Sequence, residues 1–112
     1  MITVNKLENN IDHVTFDGLE KFNASVADKV GTDLAHMFDA PNSRVILDLE
    51  AIKYIDSSGF GCFLNTMKTA RNNYGILKLC NIRPEVKSLF MSLQLHTVLD
   101  LYDDLDACIQ SF

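Results

Sequence analysis

The chain has 112 residues, a formal net charge of −5 at pH 7 and a hydrophobic fraction of 47%. This length is typical of one domain, and the apolar content can supply one hydrophobic core. The acidic balance and the scattered lysines and arginines argue against nucleic-acid binding, which needs a basic stripe. We find no signal peptide and no apolar run long enough to cross a bilayer. We therefore expect a cytoplasmic protein without direct membrane insertion.

The cysteines and histidines give no sign of a metal or cofactor site. The cysteine count is odd, no pair has C-x-x-C spacing, and each cysteine lies in an apolar segment. We therefore expect reduced cysteines that pack as small apolar side chains. The histidines show no metal-ligand spacing either. These residues are Cys62, Cys80, Cys108, His13, His36 and His96.

The first third of the chain predicts a hairpin followed by a helix. Residues 2–4 and 14–16 alternate between apolar and polar side chains, as strands do, and residues 8–10 suit the turn between them. A helix is expected after Asn23, a residue that favours helix starts, because apolar residues then recur at every fourth position. These residues are Val26, Val30, Leu34 and Phe38.

The rest of the chain alternates strands with helices. We predict strands at residues 44–49, 76–80 and 98–102, each followed or preceded by a helical pattern. The order β-β-α-β-α-β-α-β-α indicates one α/β domain over residues 1–112, with a mixed sheet of about five strands and four helices. The residues predicted to face the core from the last three helices are Phe60, Phe63, Leu64, Met67, Val86, Leu89, Phe90, Leu93, Leu105, Cys108, Ile109 and Phe112.

One segment carries candidate chemistry: residues 55–61 read Ile-Asp-Ser-Ser-Gly-Phe-Gly, where a strand ends and a helix begins. Sites in open α/β sheets gather at such carboxyl ends of strands. Ser58 is expected close to the helix N-cap, where a serine most often only satisfies a backbone N–H. Gly59 and Gly61 keep the helix start clear of side chains, and Asp56 adds a carboxylate nearby. This combination favours a functional serine that another backbone or a phosphate can approach.

No enzyme motif is complete around Ser58. The chain lacks a G-x-S-x-G elbow and a P-loop, and no base is apparent for the serine. We therefore expect a binding protein and not an enzyme, with a small hydrolase as the weakest alternative.

Four segments carry a resemblance to a known family: residues 47–49, 54–61, 77–82 and 84–86. With the element order, they resemble the anti-sigma factor antagonists of the STAS domain family, over essentially the whole chain. Asp-Ser-Ser-Gly, followed by an apolar residue and glycine at a strand-to-helix junction, is the most specific of these features.

The resemblance implies a switch. The chain would bind an anti-sigma factor that is also a serine kinase, and so release a sigma factor. The kinase would phosphorylate Ser58, supported by Asp56, Ser57 and Gly59, which ends the binding, and a serine phosphatase would restore it. The alternative is a regulatory STAS subunit of another complex, such as a lipid-transport ABC system.

The predicted partner surface combines the start of this helix with the loop after the second strand. Phe60 lies between two glycines in the first turn and is the apolar residue expected to project closest to the partner, beside Gly61. Burial of Phe60 in the core, as its place on the inward face indicates, is the alternative. The loop contributes Lys21, Phe22 and Asn23. Many relatives have an acidic residue where this chain has Lys21, so we expect this position to affect which partner is recognised.

Overall fold

A mixed five-stranded sheet organises the chain, as predicted, in a computed structural model that describes residues 1–112. Single 3₁₀ turns cover Glu8–Asn10 and Leu95–Thr97. The strands are β1 (Ile2–Lys6), β2 (Ile11–Phe16), β3 (Lys21–Phe22), β4 (Arg44–Asp48), β5 (Tyr54–Ile55), β6 (Ile76–Cys80) and β7 (Asp100–Tyr102). The helices are α1 (Ala24–His36), α2 (Ser57–Asn72), α3 (Pro84–Ser92) and α4 (Leu105–Gln110).

The strand order in the main sheet is β1-β2-β4-β6-β7. β1 and β2 form the predicted antiparallel hairpin, and the other neighbours pair in parallel. The hairpin turn uses Asn9 and Asn10 at positive φ, a conformation that asparagine tolerates better than most residues. Each pair of neighbouring parallel strands is connected through a helix. The sequence therefore shows strand patterns that alternate with helix patterns.

Helices cover both faces of the sheet. Residues that alternate along the strands, such as Val14 and Leu47, face α1, α2 and α3 and form the larger core cluster. Their neighbours of opposite parity, such as Ile11 and Ile46, pack beneath α4 in a smaller cluster. The two clusters are therefore separated by the sheet itself.

Two features of the fold differ from the sequence-based expectation. Residues 21–22 and 54–55 form a second, two-stranded parallel sheet, β3–β5. Strands of two residues are too short to show an alternating pattern in the sequence. The predicted core face of α3 is wrong at Leu89 and Leu93, which are 43% and 56% exposed. This nine-residue helix buries only Val86 and Phe90.

The close approach of α2 to the β3–β5 pair depends on Gly59. A Cβ atom at Gly59 would lie 2.5 Å from Ile55 Cγ1 and 2.9 Å from Phe22 Cδ1. Gly61, two residues further along the same helix, has no atom within 4 Å of the corresponding position. The first glycine is required by packing, whereas the second is not.

We predict that Gly59→Ala lowers the free energy of unfolding by about 1–3 kcal/mol through overpacking. The matched control Gly61→Ala should raise it by about 0.5–1 kcal/mol, because alanine favours the helix interior and meets no neighbour here. Urea denaturation of both variants provides the measurement. Equal stabilities for the two variants would contradict the packing argument.

Candidate functional site

Two helices begin side by side at the end of the small β3–β5 sheet. Phe22 and Ile55 are paired in register, and the next residue on each strand caps a helix. Asn23 Oδ1 accepts a hydrogen bond from the backbone N–H of Ser25 at 3.0 Å, which caps α1. Asp56 caps α2, and its own N–H donates to the Phe22 carbonyl at 3.1 Å. The positive ends of both helix dipoles therefore lie next to each other.

Asp56, and not Ser58, is the N-cap of α2. Asp56 Oδ1 accepts hydrogen bonds from the backbone N–H of Ser58 at 2.9 Å and of Gly59 at 3.3 Å. The expectation that Ser58 caps the helix is therefore corrected, because a carboxylate two residues earlier already binds these donors. The Ser58 hydroxyl makes no hydrogen bond within the protein, and its side chain is half-buried.

Ser58 lines a groove of about 580 Å³ between α1 and α2. The groove is lined largely by small side chains, which leave open space between the two helices. From α1 they include Ala24, Ala27, Gly31 and Ala35, and from α2 they include Ser58 and Gly61. Ser57 is exposed but does not line the groove, so the two adjacent hydroxyls of the motif occupy different environments.

The groove carries one charged residue, Asp28, and no lysine or arginine. Cys62 also lines it, and burial raises the pKa of the Cys62 thiol, an effect that the Asp28 carboxylate reinforces and a bond with Thr66 opposes. The thiol is therefore neutral at pH 7. The surface around Ser58 is thus formed by small, mostly polar side chains and carries a weak negative charge.

The structure corrects two of the predicted partner contacts. Phe60 is only 6% exposed, and its ring meets the Phe90 ring edge-on at 5.0 Å between centroids. Phe22 is fully buried, 5.1 Å from the Phe63 ring. The flanking glycines suggested few core contacts for Phe60, but α3 packs against the first turn of α2. Both rings belong to the core and do not face a partner.

The remaining predicted residues take different places. Gly61 lies in the groove beside Ser58, whereas Gly59 faces the core. Lys21 is exposed on β3, without an ion pair, next to the exposed Tyr54 on β5. Asn23 is half-buried and acts as a helix cap. Lys21 is therefore the predicted loop residue whose side chain is free for an intermolecular contact.

Sequence reasoning missed the α1 side of the groove. Ala24, Ala27 and Asp28 come close to Ser58 only because α1 and α2 start at paired strands. The available signal was the recurrence of small residues at positions 24, 27, 31 and 35, spaced for one helical face. That spacing predicts a helix face of small side chains, but it does not show which other element lies against that face.

No three histidine, cysteine or acidic side chains come together in a way that could hold a metal ion. No helix is both long enough and apolar enough to cross a membrane. No histidine lines the groove that contains Ser58. His13 bonds Asp48 at 2.9 Å, and His36 bonds Asp39 at 3.1 Å.

Comparison with known proteins identifies the family. The STAS domain model matches residues 2–108, which is nearly the whole chain. The chain therefore belongs to the STAS domain family. This finding agrees with the resemblance carried by the Asp-Ser-Ser-Gly segment and by the element order.

Relatives and solved structures extend this result. The chain is 35% identical over 68 residues to the putative anti-sigma factor antagonist BtrV of Bordetella bronchiseptica, a match that covers 61% of this chain and 59% of BtrV. An anti-sigma-factor antagonist (STAS) domain protein from Planctomyces limnophilus superposes with a TM-score of 0.87 at 16% identity, covering 98% of this chain and 96% of that one. The Bacillus cell fate determinant SpoIIAA in its phosphorylated form superposes with a TM-score of 0.69 at 14% identity, over 100% of both chains. At these identities the two structures establish a common fold.

We predict that Asp56→Ala lowers the free energy of unfolding by about 0.5–2 kcal/mol, because two backbone N–H groups of α2 lose their acceptor. Asp56→Asn should stay close to the parent protein, because asparagine caps helices about as well as aspartate. The two variants are compared by urea denaturation followed by far-UV circular dichroism. If they prove equally stable, the cap at Asp56 contributes nothing.

Proposed function

We propose that this chain is an anti-sigma factor antagonist that binds an anti-sigma factor serine kinase through the surface around Ser58. Binding releases the sigma factor, phosphorylation of Ser58 ends the binding, and a serine phosphatase restores it. The observation that carries the proposal is the Ser58 hydroxyl, which has no hydrogen bond within the protein and lies at the start of the α1–α2 groove.

A hydroxyl without an internal partner suits a modification site. A phosphate on Ser58 removes no hydrogen bond from the folded domain, and the cap of α2 remains with Asp56. The phosphoprotein should therefore keep its fold. Phosphorylation should therefore change the binding of a partner to this surface without changing the fold, which is the property required of a reversible switch.

Charge explains why the modified protein would release its partner. Phosphoserine brings about −1.5 to −2 charges at pH 7. Asp28 and Asp56 are already negative at this surface, and no cation lines the groove to neutralise the addition. An unpaired charge buried in an interface costs several kcal/mol, and each ~1.4 kcal/mol is tenfold in affinity. A loss of two or three decades in affinity follows.

The surroundings of Ser58 favour binding over catalysis. No histidine, lysine or carboxylate side chain hydrogen-bonds the Ser58 hydroxyl, so nothing activates it as a nucleophile. The relatives bear names of regulatory proteins, and phosphorylated SpoIIAA provides a precedent for modification on this fold. Asp56 would support phosphorylation by fixing the first turn of α2 that presents Ser58.

Lys21 is the candidate determinant of partner choice. Its ammonium is exposed and without an ion pair, whereas the neighbouring Lys53 is paired with Glu20 at 3.3 Å. A partner that binds along β3 should therefore present an acidic side chain opposite Lys21. Such contacts at the edge of an interface change association rate and selectivity more than they change stability.

The direct test is recovery of the partner on the immobilised chain from a lysate of the native cell, followed by addition of ATP and magnesium. A kinase-type ATPase should be retained and then released as phosphate appears on Ser58, as mapped by peptide mass spectrometry. Ser57→Ala provides the matched comparison, because it removes the adjacent exposed hydroxyl. The kinase should still be retained and still be released as phosphate appears on Ser58, since Ser57 only supports that phosphorylation. Retention of a membrane transporter complex instead would support the alternative, a regulatory subunit of transport.

We predict that Ser58→Asp weakens partner binding, while Ser58→Ala binds normally and resists ATP-driven release. Aspartate carries only about half the charge of a phosphate, so its defect should be partial. Ser58 makes no cap, and both variants should unfold within about 0.5 kcal/mol of the parent protein. Calorimetric titration against the recovered kinase, beside a thermal melt, measures both effects.

Ser57→Asp adds the same charge one residue away, outside the groove, and serves as the control for that titration. If Ser58→Asp and Ser58→Ala bind with equal affinity, Ser58 is not a charge-sensitive contact. If Ser57→Asp is the variant that weakens binding, the switch is the exposed hydroxyl and not the one in the groove.

A further inference from the structure

The opposite face of the sheet carries a pair of cysteines that the proposed function does not use. Cys80 ends β6, Cys108 lies in α4, and both are fully buried in the small cluster beneath that helix. The two side chains share this cluster of four buried residues, so their thiols lie near each other across the junction of helix and sheet. Cys62, the third cysteine, lies apart in the α1–α2 groove.

The electrostatics of the pair distinguish the two thiols. The interaction of the two thiols raises the pKa of Cys80, which burial raises further, and lowers the pKa of Cys108. The nearby Lys78 ammonium also lowers the pKa of Cys108, against the effect of burial. Cys108 is therefore the residue of the pair whose thiolate, the nucleophilic form, is favoured.

α4 is the element that controls access to the pair. It has six residues, packs mainly on β6 and β7, and is too short to be stable on its own. Lys78 fastens its end to the sheet, since Nζ donates to the Ser111 carbonyl at 3.0 Å and to Ser111 Oγ at 2.8 Å. Local opening of so short a helix costs less than global unfolding and exposes Cys108 to small solutes.

We propose that Cys80 and Cys108 form an oxidisable dithiol, which a peroxide converts into a disulfide that fastens α4 to β6. The Cys108 thiolate attacks one peroxide oxygen; the S–O bond forms, the O–O bond breaks, and the second oxygen leaves as water after protonation. The Cys80 sulfur then attacks the Cys108 sulfur, the S–O bond breaks, and a second water leaves. Two electrons pass from the two thiols to the peroxide.

Until it is reduced, the disulfide would keep α4 attached to β6. It closes a loop between residues 80 and 108, which restricts the unfolded chain and opposes the opening of α4. It lies on the other side of the sheet from Ser58, so the surface proposed for partner binding should not change. Oxidation of this pair is therefore independent of partner binding at the Ser58 surface.

The test is a peptide map of the reduced, full-length chain after treatment with hydrogen peroxide and alkylation of the remaining thiols in denaturant. We expect an intramolecular disulfide between Cys80 and Cys108, with Cys62 still alkylated. The melting temperature should rise by about 5–15 °C and fall back on addition of dithiothreitol. Hydrogen exchange of the α4 amides should slow, while exchange in α2 stays unchanged.

Cys62→Ala should retain the rise in melting temperature, and Cys108→Ala should lose it. Because the second variant leaves a small cavity, the peptide map of the parent protein decides the matter even if that variant folds poorly. Three results would overturn the proposal: both thiols alkylated after treatment, sulfinic acid without a disulfide, or a bond between two chains.

Discussion

The pairing of β3 with β5 is the constraint on which the candidate site depends. It sets two helix caps side by side, because the Phe22 carbonyl accepts the Asp56 N–H and the next residues begin α1 and α2. Gly59 allows the first turn of α2 to rest directly on these short strands. The groove and the orientation of Ser58 both follow from this arrangement.

The site separates the structural role of the motif from its proposed regulatory role. Asp56 holds the first turn of the helix, and Phe60 holds α2 against α3 through the Phe90 ring. Ser58 takes part in neither, since its hydroxyl is unbonded and its side chain faces the groove. In the proposed switch, a charge added there would be tolerated by the free domain and excluded from a complex, because only the complex must desolvate it.

The two faces of the sheet divide the molecule in the same way. The face under α1, α2 and α3 carries the Ser58 surface, and the face under α4 carries the Cys80–Cys108 pair. Alternation of side chains along each strand keeps the two sets apart. A covalent change at one face can therefore alter stability without passing through the partner surface on the other.

The sequence by itself determined the element order, the mixed sheet and the segment with the candidate serine, because alternation, helical spacing and a short motif are local signals. Tertiary structure alone decided that Asp56 caps α2, that Phe22 and Phe60 are buried, and that Asp28 faces the groove. Each of these depends on a neighbour distant in sequence: α3 behind Phe60, β5 beside β3, and α1 across from α2. Local patterns state which residues share a face of an element, but the packing of elements decides which face is covered.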